Sequence, residues 1–154
     1  MKKLLILLLF VAGIPIYGQK AYSPRVFVKE CKKYIGTPYK FGGNDQKGID
    51  CSGVICNAFS TFDIKVPRVS HQQAETFRTL KKLGKARKGD LVYFKTSGSR
   101  INHTGVIVKK KGKRKILFLH ASTSGGVRID DLASDYWKNK FVKVTRPIEY
   151  HRSK

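Results

Sequence analysis

Residues 24–35 carry Val26, Phe27, Cys31, Tyr34 and Ile35 near one face at helical spacing. Pro24 suits a first helical turn and Gly36 a stop, so the pattern predicts a helix. A second apolar segment opens at Cys51 and predicts a helix to about Thr61. In Ser70-His71-Gln72-Gln73, serine and glutamine stand three apart, which predicts a capping box and a third helix to about Leu80. From Asp90 the pattern changes. Runs at 91–95, 103–109, 115–120, 127–129 and 141–145 are β-rich, and residues 131–137 predict a short helical turn. Helices first and strands afterwards predict an α+β domain, with N-terminal helices packed on a C-terminal antiparallel β-sheet.

Length and charge narrow this picture. At 154 residues the chain makes one domain with a core of its own. Met1-Lys2-Lys3 followed by the apolar residues 4–14 has the layout of a secretory signal. Pro15 breaks the run, which is short against the roughly 20 apolar residues of a membrane span. The expected organisation is a signal peptide over 1–18 and a single domain over 19–154, acting in the periplasm or cell envelope. The formal net charge is +22, from 32 basic and 10 acidic residues. Such a charge draws a protein to polyanions. Outside the cytoplasm these are carboxylate-bearing wall peptides, anionic wall polymers or a membrane surface, and nucleic acid is not expected. The densest basic run, 109–115, lies between two apolar strands and reads as a solvated hairpin tip. Of the three cysteines, Cys31 and Cys56 fall on apolar stripes; small buried residues and a disulfide both fit them.

The chemistry centres on Asp50-Cys51-Ser52-Gly53. A thiol at a helix start meets unpaired N–H groups and the positive end of the helix dipole, which lowers its pKa. Downstream, two strands carry His103 and His120. If these strands form a hairpin that pairs His103 with His120, its turn centres between Lys111 and Gly112. Directly opposite residues share a face with Cβ atoms about 5 Å apart. Nucleophile, base and orienting group then follow the order Cys51, His103, His120, a cysteine-hydrolase arrangement. One thiolate and two imidazoles also suit zinc, but no two of them have the short spacing of zinc ligands.

The chain resembles the NlpC-type cysteine peptidases, which hydrolyse peptidoglycan. The residues that carry the resemblance are Gly36-Thr37-Pro38-Tyr39-Lys40-Phe41-Gly42-Gly43, Asp50-Cys51-Ser52-Gly53, Val66-Pro67-Arg68, Lys88-Gly89-Asp90-Leu91-Val92-Tyr93-Phe94, His103-Thr104-Gly105 and His120-Ala121-Ser122. The resemblance implies a papain-like fold and an acyl-enzyme on Cys51. It implies that the Tyr39 hydroxyl joins the Cys51 N–H in holding the oxyanion; taken alone, Tyr39 reads equally as a packed aromatic. It places Asp50 and Ser52 at the substrate groove, where both also suit capping of the Cys51 helix. Arg68 is a candidate for a substrate carboxylate, or a loop arginine. Asp90 is expected to shape the turn into the first strand, and His71 and His151 are assigned no chemistry.

The resemblance implies cleavage of γ-D-glutamyl–diaminopimelate or D-alanyl–diaminopimelate bonds, and the expected protein is a monomer that needs neither cofactor nor metal. Alternatives are an amidase or acyltransferase of the same architecture, an antibacterial wall-degrading effector, and a non-enzymatic basic wall-binding protein.

Overall fold

The computed structural model describes residues 21–112 and 115–148. The predicted leader, His151 and part of the basic hairpin tip lie outside them.

The first helix, α1 (Pro24–Lys32), starts at Ser23, whose hydroxyl accepts from the Val26 N–H. A small hairpin of β1 (Asn44–Asp45) and β2 (Gly48–Ile49) follows. It is closed by the Asp45 carboxylate, which accepts from the Lys47 and Gly48 N–H groups. Then come α2 (Cys51–Ser60), α3 (Ser70–Thr76) and the short β3 (Arg78–Thr79). The second half builds β4 (Leu91–Phe94), β5 (His103–Lys111), β6 (Lys115–Ser122), β7 (Gly126–Asp131), α4 (Asp135–Lys140) and β8 (Phe141–Arg146). The large sheet is antiparallel throughout, in the order β3-β8-β4-β5-β6-β7. The predicted α+β architecture is therefore the one observed.

Alternation along the strands divides the interior in two. In β4, Leu91 and Tyr93 join the core beneath α1 and α2, with Phe27, Cys31, Val54, Ile55 and Phe59. Val92 and Phe94 face the other way, into a second cluster with Ile107, Phe118, Leu132 and Trp137.

Several boundaries differ from the sequence expectation. The first helix stops at Lys32, before the turn at Gly36, which has φ of +87°. Its buried stripe is Phe27, Val28 and Cys31, while Val26 and Ile35 are exposed. The capping box at Ser70 does not form. Val69 occupies the cap position, and the Gln73 side chain turns inward, where its Nε2 donates to Pro67 O at 2.8 Å and Ser52 O at 3.3 Å. The helix ends at Thr76 because Arg78 and Thr79 pair with Arg146 and Thr145 of β8. The helical turn expected at 131–137 lies later, at Asp135–Lys140.

The most consequential correction concerns register. Near the tip Lys111 pairs with Lys115, and an irregularity between Ile107 and Lys109 shifts the ladder so that Val106 pairs with Leu119. Continuing that register puts Gly105, not His103, opposite His120. The net slip is two residues. Because side chains alternate with period two, His103 and His120 still share a face, now as diagonal neighbours.

Candidate active site

Asp50 terminates β2 and caps α2, so its position is set by two elements at once. Its Oδ1 accepts from the Gly53 N–H at 2.7 Å, which closes the first turn beneath Cys51. A Cβ at Gly53 would come within 2.7 Å of Gly43 O, so this turn requires glycine. Arg68 then grips Asp50 with Nη1 on Oδ1 at 2.7 Å and Nη2 on Oδ2 at 2.9 Å. The same guanidinium donates to Ser52 Oγ and Gly43 O, each at 2.8 Å, and the Gly42 N–H donates to Asp50 Oδ2 at 2.9 Å. The Gly42-Gly43 loop, the cap of α2 and the Val66-Pro67-Arg68 segment thus form one polar cluster below the nucleophile. Both terminal nitrogens of Arg68, Nη1 and Nη2, are hydrogen-bonded within this cluster. Asp50, Ser52 and Arg68 also line the cleft, so the clamp and the cap of α2 form part of the wall where the sequence expectation places a substrate.

Cys51 stands at the first position of α2, in a cleft of about 590 Å³ whose walls include Tyr39, Phe41, Ser52, Arg68, His71, Arg100 and Asn102. The sequence reading expected the helix start to lower the thiol. Burial reverses the sign and pushes its pKa up to about 11, against opposing hydrogen bonding from the backbone at Thr104 and Ser52. That contact at Thr104 brings the thiol against the start of β5, beside His103. Tyr39 is also raised, first by burial and then by its proximity to Cys51 and Asp50. Cys31 and Cys56 are free thiols: Cys31 is buried in the core and Cys56 donates to Pro67 O at 3.4 Å. Asp90 accepts from the Arg87 N–H at 2.7 Å, shaping the turn as expected, and also holds Arg146 at 2.8 and 2.9 Å.

His103 Nε2 lies 2.9 Å from His120 Nδ1. The rings reach each other across Gly105, where an added Cβ would meet Leu119 O at 2.6 Å, Phe118 Cδ2 at 2.7 Å and His120 Cβ at 3.2 Å. Trp137 covers the pair, stacked on His103 at 5.5 Å and edge-on to His120 at 4.7 Å. Burial pushes His103 down to about 3, and the His120 charge adds to this against Asp130 and Asp50. Burial also lowers His120, against its hydrogen bond to Asp130. Both shifts favour the neutral imidazole at neutral pH.

Three residues of this cluster, Asp130, Arg128 and Trp137, were not picked out from the sequence. Asp130 Oδ2 accepts from His120 Nε2 and from Trp137 Nε1, each at 3.0 Å, and Oδ1 accepts from Arg128 Nε at 2.8 Å. The ladder pairs His120 with Arg128, so Asp130 is the diagonal neighbour of His120 on the same face. The signal was present in the strand after Gly126: alternation puts residues 128 and 130 on the histidine face once β6 and β7 are paired.

The comparisons agree with this fold. The profile of the NlpC/P60 family matches residues 36–146, from the turn after α1 to the end of β8. A Haemophilus influenzae protein named a probable endopeptidase is 37% identical over 131 residues, covering 84% of this chain and 78% of its own. The Escherichia coli murein DD-endopeptidase MepS/murein LD-carboxypeptidase is 37% identical over 114 residues, and the chain covers 57% of its length. Among solved structures, an NlpC/P60 family protein from Bacillus cereus superposes with a TM-score of 0.73 at 20% identity, over 85% of this chain and 42% of that one. The matched span takes in Cys51, His103, His120 and the Asp50–Arg68 clamp together, and on that evidence the chain belongs to the NlpC/P60 family.

Proposed function

We propose that this protein is a cysteine endopeptidase that cleaves peptide stems or cross-links of peptidoglycan, with Cys51 as nucleophile, His103 as general base and acid, and His120 as orienting group. The observation that carries the reading is the Cys51 thiol at the first turn of α2, lining a cleft and hydrogen-bonded to the backbone at Thr104, the chain neighbour of His103, which itself meets His120 at 2.9 Å. Relatives named as murein endopeptidases support the substrate class.

In the proposed sequence Cys51 attacks the scissile carbonyl as His103 takes the thiol proton. A resting pair of neutral groups makes this transfer part of the attack, rather than a preceding ionisation. The carbonyl oxygen becomes an oxyanion held by the Cys51 N–H, one of the donors a helix start leaves without an intrahelical partner, and by the Tyr39 hydroxyl. The C–N bond then breaks and His103 protonates the departing amine. Water attacks the thioester with His103 as base, the C–S bond breaks, and the proton returns to the thiolate. No cofactor enters. Arg100 and His71 line the same cleft and are suited to carboxylates of glutamyl or diaminopimelyl residues. The leader-like residues 1–18 and the formal charge of +22 favour action outside the cytoplasmic membrane on an anionic wall.

The test is digestion of purified sacculi, with the new termini identified by mass spectrometry. Release of stem peptides with new ends at γ-D-glutamyl–diaminopimelate or D-alanyl–diaminopimelate bonds is expected. Cys51→Ala and Cys51→Ser should release none while remaining folded, and Cys31→Ala and Cys56→Ala should retain activity. Turnover by folded Cys51→Ala protein would remove Cys51 from the mechanism.

A further inference from the structure

We propose that Asp130 is a positioning residue of the site. It sets the proton pattern of both imidazoles so that His103 presents Nδ1, and no other ring nitrogen, as the base. The proposal rests on the reading of Cys51 and His103 as nucleophile and base.

The argument is one of donors and acceptors. Every group around the Asp130 carboxylate donates to it: Trp137 Nε1–H and Arg128 Nε–H carry no acceptor, so both carboxylate oxygens act as acceptors. Burial pushes this carboxyl up, but the hydrogen bonds from His120, Trp137 and Arg128 outweigh it and hold it below the usual range. An ionised carboxylate cannot donate, so His120 Nε2 must carry the hydrogen that spans the 3.0 Å to Oδ2. Neutral His120 then has an unprotonated Nδ1, which can only accept. The 2.9 Å contact therefore requires the hydrogen to sit on His103 Nε2. A neutral His103 protonated at Nε2 has its lone pair at Nδ1, the nitrogen directed away from His120 and left for the thiol. One fixed acceptor thus decides two tautomers in series.

Two diagonal steps across the sheet build this line. His103 reaches His120 over Gly105, and His120 reaches Asp130 beside its ladder partner Arg128. Trp137 binds Asp130 by its N–H and covers both imidazoles with its ring, which keeps water from supplying competing donors. When His103 holds the thiol proton, its charge faces a neutral imidazole backed by an anion. Asp130 does not line the cleft, so its effect should fall on turnover and not on substrate binding.

The test is nitrogen NMR of the imidazoles, with ¹⁵N-histidine protein carrying Cys51→Ala to silence turnover. Both His103 and His120 should be in the Nε2–H form. Asp130→Asn, whose carboxamide can donate to His120 Nε2, should convert a measurable share of both rings to the Nδ1–H form, and Asp130→Ala should leave them mixed. In active protein, Asp130→Asn should lower kcat by roughly 10- to 100-fold with KM unchanged, and Asp130→Glu should recover part of it. The proposal is overturned if His103 is Nδ1–H in the parent protein, or if folded Asp130→Asn keeps the parent tautomers, whatever its activity. Because the tautomers are read without substrate, absence of wall cleavage by the wild type would count against the peptidase reading and not against Asp130.

Discussion

Arg68 and Asp50 meet end to end, two guanidinium nitrogens on two carboxylate oxygens at 2.7 and 2.9 Å. The carboxylate is also the cap of the helix that carries Cys51. Removing it breaks an ion pair and a cap in one step, and leaves Arg68 facing Gly43 O and Ser52 alone. Asp50→Ala should therefore destabilise the fold by about 2–3 kcal/mol, a value below that of a fully buried pair because the Arg68 side chain is 40% exposed. Arg68→Lys should not substitute, since one ammonium cannot span both oxygens. Urea unfolding midpoints check this, and a loss under about 0.5 kcal/mol for Asp50→Ala would mean the clamp is energetically idle.

The two histidines should not be equivalent. His103→Ala removes the base and the acid together and should abolish activity. A hydrogen-bonding replacement, His120→Asn or His120→Gln, should retain some, with His120→Ala in between. An active His103→Asn beside an inert His120→Asn would show that the roles are reversed.

Alkylation of Cys51 reports its ionisation without the natural substrate. The thiol is raised to about 11 and His103 lowered to about 3, so the resting pair is neutral and thiolate is scarce at neutral pH. The alkylation rate should keep rising with pH beyond the ordinary thiol range near 8.5. A reactive plateau below neutral pH would instead reveal a thiolate preformed by proton transfer to His103, with the lowered thiol pKa expected at a helix start.

Burial of the histidines also ties stability to pH. Both have folded pKa values below the unfolded value near 6.5, His103 at about 3. Between those limits the unfolded chain binds protons that the folded chain excludes, so stability falls as pH drops through this window. The slope approaches about 1.4 kcal/mol per pH unit for His103, and His120 adds to it in the same direction. Denaturant titrations from pH 7 to pH 4 should show it, and His103→Gln should flatten it. A pH-independent difference between the two proteins would rule out a buried neutral His103.

Gly105 is the slot through which the imidazoles meet. Gly105→Ala would press a methyl group onto the Leu119 carbonyl at 2.6 Å, and backbone cannot step aside as a flexible side chain can. A loss of about 1–3 kcal/mol is expected, with a larger loss of activity because β6 carries His120. Gly84→Ala is the control, since nothing lies within 4 Å of its added Cβ. Equal melting temperatures for Gly105→Ala and the parent would show that the sheet accommodates the methyl group.

The sequence by itself determined the α+β order of elements, the strands of the second half, Cys51 at a helix start and the shared face of the two histidines. These are local matters: apolar period, turn residues and the period-two alternation of a strand act within a few residues of chain. What only the tertiary structure decided depends on which groups meet. The capping box at Ser70 failed because Gln73 found the Pro67 and Ser52 carbonyls instead. Arg68 is paired with Asp50 at the cleft wall because Asp50 offers both of its oxygens. The hairpin register differs by two from the expected pairing, a tip three residues off with one residue recovered at an irregularity that no turn residue announces, and alternation preserved the face while changing the neighbour. Asp130 entered the site through the pairing of β7 with β6, and the sign of the Cys51 shift followed from burial, which the helix start alone does not set.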